Sequence, residues 1–321
     1  MKFLKKLFGT IIILFAGLFI WGKIYTALQP ALVIRPIAAD TTRIKNDLFY
    51  LTDSCRYRNF LHIDQLDKAA SYIKKQFDAV AAPASFQTYT VDSLEFKNVI
   101  GSLGPKDAER IIIGAHYDAC LDQDGADDNA SGVCGLLELA RLLKNDSLKY
   151  RIDFVAYTNE EPPFFASNDM GSYIHAKSLF DNKVKVKGMI GLEMIGYYSE
   201  TPGSQDYPLF VLEWFYGNKG NFITVAKKYF NGDFASFVSD RMKKEPVIPT
   251  RSFSAPSWVA GIDLSDHRNY WAFDYSAVMI TNTAFNRNKQ YHQEGDRAER
   301  LNIKNMSLVI DELYRTIKDM K

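Results

Sequence analysis

Four short apolar runs, "RIIIGA" (Arg110–Ala115), "RIDFVAYT" (Arg151–Thr158), "VKVKGMIGLEMIG" (Val184–Gly196) and "SAVMITNTAF" (Ser276–Phe285), constrain this chain more than any other feature. Runs of this length, rich in β-branched residues and bounded by turn formers, read as strands buried on both faces. Such strands need helices on either side. Between the first two runs, Val133, Leu136, Leu137, Ala140 and Leu143 recur at helical spacing from Ser131 onward, and a second helix is expected over Asp169–Phe180. The order β, α, β, α, β predicts a three-layer α/β/α sandwich around a mixed, mostly parallel sheet.

The remaining pattern fits that frame. "SFQTYTVDSLEFKNVIGSLG" predicts a hairpin ahead of the first buried strand. Ile63, Leu66, Ala70, Ile73 and Phe77 give residues 62–80 one apolar helical face, and Met306, Val309, Ile310, Leu313 and Ile317 do the same for 302–320. Helix-like spacing also marks 41–53, less cleanly, and 221–230, whereas 232–265 has no clear period. With 47% hydrophobic residues, 14% aromatics and no internal repeat, residues 31–321 are expected to form a single domain.

The amino terminus stands apart. Lys2, Lys5 and Lys6 precede an apolar run from Leu7 to Trp21, the layout of an export signal. No small-x-small cleavage site follows closely, so residues 1–30 are read as an uncleaved signal anchor in preference to a cleaved signal peptide. The lysines keep Met1 in the cytoplasm and send the rest to the periplasmic or extracellular side. A net charge of +1 offers no field for nucleic acid. Three cysteines, Cys55, Cys120 and Cys134, contain no C-x-x-C pair; a Cys120–Cys134 bridge is conceivable, with Cys55 an equal competitor.

Ligands of open α/β sheets bind beyond the carboxyl ends of the strands. There the chain carries His116 and Asp118 after the first run, Glu160 and Glu161 after the second, and Glu193 in the third, with His267 of "LSDHRNYW" shortly before the fourth. "GADDNASG" adds further aspartates just ahead of a helix. So many carboxylates in one crevice repel each other unless cations neutralise them. Two zinc ions with histidine and carboxylate ligands resolve the conflict, and manganese or cobalt could use the same donors.

"GAHYDA", "GADDNASG", "NEE", "LEMIG", "SDHRNYW" and "YHQEGD", taken in this order, resemble the zinc-dependent metallopeptidases of family twenty-eight. That family includes dizinc aminopeptidases, glutaminyl cyclases, glutamate carboxypeptidase and the transferrin receptor ectodomain. The resemblance implies an exopeptidase of peptides with a free amino terminus. It implies His116 on the first zinc with Asp118 holding its imidazole, Asp128 bridging both ions, Glu193 as the remaining carboxylate of the first site, Glu161 and His267 on the second, and Glu160 as general base. Glu193 departs from the aspartate more usual there, and "NEEPPFF" adds two prolines. If Glu193 failed to hold metal, a one-zinc glutaminyl cyclase would be the alternative; a non-catalytic receptor-like domain is another. Asp122, Asp124 and Asp127 are expected to solvate the loop or, less simply, to hold calcium. His62 and His175 are expected at the surface or core edge, and His292 of "YHQEGD" lining the pocket without binding metal. Tyr197, Tyr198 and Trp271 are candidates for the cleft border.

Overall fold

A computed structural model of the chain describes residues 2–80, 82–259 and 261–320. Its elements begin with α1 (Lys2–Ala27), α2 (Thr41–Phe49) and α3 (Ile63–Ala79), then the hairpin β1 (Ala84–Val91) and β2 (Leu94–Leu103). They continue with β3 (Arg110–His116), α4 (Gly132–Leu143), β4 (Arg151–Tyr157), α5 (Gly171–Asp181), β5 (Val186–Glu193) and the short α6 (Glu213–Tyr216). The carboxyl-terminal part holds β6 (Ile223–Lys228), α7 (Gly232–Lys244), β7 (Thr250–Ala255), α8 (His267–Ala272), β8 (Ala277–Thr281) and α9 (Ile303–Lys318).

The strands form one sheet in the order β1-β2-β4-β3-β5-β8-β6-β7. Its centre, β4-β3-β5-β8, is parallel, and β2 and β6 join it antiparallel on either side. Alternation along β3 shows why both faces must be covered. Ile111, Ile113 and Ala115 enter a core shared with α2, α3, α4, α7 and α9, while Ile112 points to a smaller core with Ala176 and Leu179 of α5 and Tyr270 and Trp271 of α8. The architecture is a three-layer α/β/α sandwich with a mixed sheet.

Several local expectations change. Residues 221–230 contain strand β6 and no helix, and the unassigned 232–265 resolves into α7 and β7. The helix expected over 41–53 closes with a π-helical turn at Tyr50–Ser54. All three cysteines are buried and free, so the Cys120–Cys134 bridge is absent. Helix α1 projects its apolar side chains outward; its segment Leu7–Ala27 is 21 residues with a mean hydropathy of 2.1, long and apolar enough to cross a membrane. The side chains of Lys2, Lys5 and Lys6 lie outside the described residues.

Candidate metal centre

Parallel strands deliver their last residues to one end of the sheet, and the chemistry gathers there. His116 ends β3, directly opposite Tyr157 at the end of β4, and Glu193 ends β5. Glu160 and Glu161 follow β4, Asp128 lies in the turn leading into α4, and His292 comes from the loop beyond β8. His116 Nε2 is 3.3 Å from Asp128 Oδ1, 3.4 Å from Glu193 Oε2 and 3.9 Å from Glu160 Oε2. His292 Nε2 is 3.2 Å from the other Asp128 oxygen, Oδ2, and 3.0 Å from Glu161 Oε2. Asp128 thus faces two histidines with its two oxygens.

Two triads result, His116–Asp128–Glu193 and His292–Asp128–Glu161. Donor atoms of the first all lie within 4.8 Å of one another, as do those of Glu161, His292 and Cys120. Several of these buried atoms have no hydrogen-bond partner: both nitrogens of His116, Asp128 Oδ2, Glu161 Oε1 and His292 Nε2. Buried polar atoms left unpaired are costly. Imidazole nitrogens and carboxylate oxygens that converge without bonding one another are the donor set zinc uses, so the residues fit the ions.

The surroundings hold this arrangement rigidly. Asp118 lies 3.4 Å from His116 Nδ1 and accepts the Glu161 N–H at 3.0 Å. It therefore orients one residue of each triad. Glu193 Oε2 accepts from Ser265 Oγ at 2.7 Å, and Asn129 Oδ1 takes the Met194 and Gly132 N–H groups, fixing the turn against the end of β5. Asp296 accepts the N–H groups of Asp127 and Asp128 at 3.0–3.1 Å. From the amino-terminal side, the fully buried Arg58 donates to the carbonyls of Tyr117, Leu51, Asp124 and Gly125, clamping both ends of the loop.

Without cations the pocket opposes its own ionisation. Burial and the charges of Glu161 and Glu193 push Glu160 well up, and burial with the neighbouring Asp128 charge raises Glu161 to about 8. Glu193 is also raised by burial. Asp128 is driven the other way: burial would raise it, but His116 and His292 more than offset that. Both histidines are raised against the opposing effect of burial, His116 by the charges of Glu160 and Glu193, His292 by Asp128, Cys120 and Glu161. A bound dication would oppose the upward shifts of the three glutamates and the two histidines, and would reinforce the depression of Asp128.

His116, Asp118, Asp128, Glu160, Glu161 and Glu193 come together where the strand order puts them; His267 does not. It opens α8 on the opposite face of the sheet, its Nε2 2.7 Å from the Ile262 carbonyl and its ring edge-on to Trp271 at 4.5 Å. His292, expected only to line the pocket, takes that place beside Asp128 and Glu161. Asp127 does not solvate the loop: it is fully buried and accepts from the N–H groups of Gly196 and Tyr197 and the amides of Asn282 and Asn288. Asp124 is buried against Arg56, whereas Asp122 pairs with His62 at the surface. His175 is buried, its Nδ1 2.6 Å from the Tyr270 hydroxyl. Trp271 belongs to the second core, and Tyr197 and Tyr198 sit under Arg300 and Arg287.

An α/β/α sandwich with histidines and carboxylates at the carboxyl ends of its parallel strands has the donor set of a metal-dependent α/β enzyme. The chain belongs to peptidase family M28, whose model matches residues 98–316. It is similar to the uncharacterized protein YfbL of Escherichia coli K12, at 41% identity over 99% of this chain and 100% of that one. Among solved structures it resembles the Legionella pneumophila LapA aminopeptidase (TM-score 0.67, 19% identity, covering 87% of this chain and 68% of that one). It also resembles Bacteroides thetaiotaomicron glutaminyl cyclase bound to N-acetylhistamine (TM-score 0.66, 17% identity, 89% and 100%). The family and its zinc metalloprotease relatives support zinc as the cofactor and a peptide as the substrate.

Proposed function

We propose that this chain is a dizinc aminopeptidase, held at the outer face of a membrane by an uncleaved α1, that removes residues from the free amino termini of peptides. The observation that supports it most is the placing of the two Asp128 oxygens, 3.3 Å from His116 and 3.2 Å from His292, which suits one carboxylate shared by two ions. His116 and Glu193 would hold the first, Glu161 and His292 the second, with Asp118 steadying the pair. Bound zinc supplies a polarised scissile carbonyl and an acidified water. Glu160 takes the proton from the attacking water and passes it to the departing amine as the C–N bond breaks. Glu160 is buried just beyond β4, with its Oε2 3.9 Å from His116 Nε2, near enough to meet a water on an ion that His116 would hold.

Cyclisation of an amino-terminal glutamine is the second reading, favoured by the match to a glutaminyl cyclase over its whole length. The deciding experiment uses the full chain in detergent with aminoacyl- and glutaminyl-coumarin substrates, before and after chelation, alongside a metal count. Hydrolysis of several aminoacyl substrates that stops on chelation, returns with zinc and accompanies two ions per chain is expected. Pyroglutamyl product with one ion per chain would replace the first reading by the second.

A further inference from the structure

Helix α1 does not merely trail from the body. Residues 207–216 pack along it: Phe210 stacks on Phe15 at 6.1 Å, Trp214 meets Phe15 and Phe19 edge-on at 6.2 and 5.4 Å, and Phe215 meets Trp21 at 5.4 Å. Tyr216 lies against Tyr25, and Thr26 Oγ1 donates to the Phe215 carbonyl at 3.0 Å. Gly22 permits the approach, because a Cβ there would stand 2.8 Å from the Trp214 carbonyl oxygen. This seat lies along a membrane-crossing helix. Phe15 is twelve residues before Ala27, about 18 Å along the axis, while the hydrocarbon core is about 30 Å thick. Leu209 and Phe210 remain 62% and 65% exposed, facing what surrounds α1. Glu213, the segment's one charge, is exposed and limits its depth to the outer part of the bilayer.

The same segment walls a cavity. Tyr207, Pro208, Leu209 and Leu212 line a space of about 410 Å³ together with Phe253, Met279, the polar side chains of Gln205 and Arg251, and Glu193 of the first triad. That volume lies in the range of sites for drug-sized ligands, about 300–1,000 Å³, and exceeds what one aliphatic side chain fills. Few polar atoms face it, so it suits a hydrocarbon chain and not an extended peptide, whose backbone would need hydrogen-bond partners.

We propose that the substrate is a lipidated aminoacyl compound resident in the same bilayer, whose hydrocarbon chain enters the cavity beside Glu193 past the 207–216 segment seated on α1. The proposal deepens the hydrolase reading and rests on it for chemistry, though not for binding. The full chain in phosphatidylethanolamine–phosphatidylglycerol vesicles is given coumarin or alkyl amides of amino acids carrying a methyl or a tetradecyl chain on either side of the scissile bond. One tetradecyl series is expected to show at least tenfold higher kcat/KM than its methyl counterpart. In Gly22→Leu, which unseats the segment without touching the site, that ratio should fall toward one while the methyl compounds keep their rate within twofold. Labelling by a diazirine-tetradecyl amide of leucine, mapped by mass spectrometry in Glu160→Gln, should fall on residues 207–212, Phe253 or Met279. Cavity labelling with no turnover of any substrate would sink the hydrolase reading and leave this inference standing. Turnover of methyl and tetradecyl compounds at equal kcat/KM, an unchanged ratio in Gly22→Leu, or label confined to α1 would overturn it.

Discussion

Two histidines compete for one place, and metal binding can separate them. In zinc peptides with four ligands the apparent binding free energy is about 10–16 kcal/mol near neutral pH, so a single donor carries about 2.5–4 kcal/mol. Replacing His292 with alanine should therefore weaken the second ion about 10²–10³-fold, since 1.4 kcal/mol is a factor of ten, while the first triad keeps its three side chains. His267→Gln should leave both affinities unchanged, because that imidazole spends its Nε2–H on the Ile262 carbonyl at 2.7 Å and packs on Trp271. It should cost stability instead, about 1–3 kcal/mol for a disturbed buried ring and bond. The assay is competition against a chromophoric chelator at pH 7.5, with the metal content of dialysed protein as a check and denaturant unfolding for stability. If His267→Gln loses an ion and His292→Ala retains two, the geometry assigned to the second site is wrong.

Glu160→Gln should keep its full metal content and lose about 10²–10⁴ in kcat, the usual worth of a general base; loss of metal together with activity would make Glu160 a ligand instead. Gly132→Ala should reduce metal binding at the first site, because the new Cβ would collide with Asn129 Oδ1 and lie 2.7 Å from the Leu192 carbonyl, beside Glu193; a variant with native affinity would show that the turn can yield. Burial holds His175 at about 4, below the 6.5 of a free imidazole. Its neutral ring therefore contributes fully above pH 6.5 and loses that contribution as pH falls toward 4, at most about 3 kcal/mol at 1.36 kcal/mol per unit. Denaturant unfolding of the wild type and His175→Asn across that window should show the acid loss reduced in the variant, and parallel curves would refute the assignment.

The strand ends were legible because buried parallel strands advertise themselves as apolar runs, and a carboxylate or histidine just past such a run has few places to go. That logic located His116, Glu160, Glu161 and Glu193 without any contact information. It could not choose between His267 and His292. Both precede or follow β8 at similar distance, and only the path of the chain decides that α8 crosses to the far face while the loop after β8 returns over the pocket. The motif "YHQEGD" carried the needed signal twice, in His292 and in Asp296, whose carboxylate holds the Asp128 turn. Strand β6 was misread for a different reason: Phe222, Val225, Ala226 and Tyr229 satisfy helical spacing, while pairing with β7 and β8 draws the segment into the sheet. Asp127 resembled a solvated loop residue because its amide partners, Asn282 and Asn288, lie far away in the chain.

Arg58 lies forty residues ahead of the stretch that the family model recognises, yet its guanidinium grips the carbonyls of Tyr117, Asp124 and Gly125, at the two ends of the loop that leads into the Asp128 turn. A soluble version trimmed to the recognised stretch would leave that loop without its keystone. Whoever truncates this protein for crystallisation or assay should cut between α1 and α2, not at the family boundary.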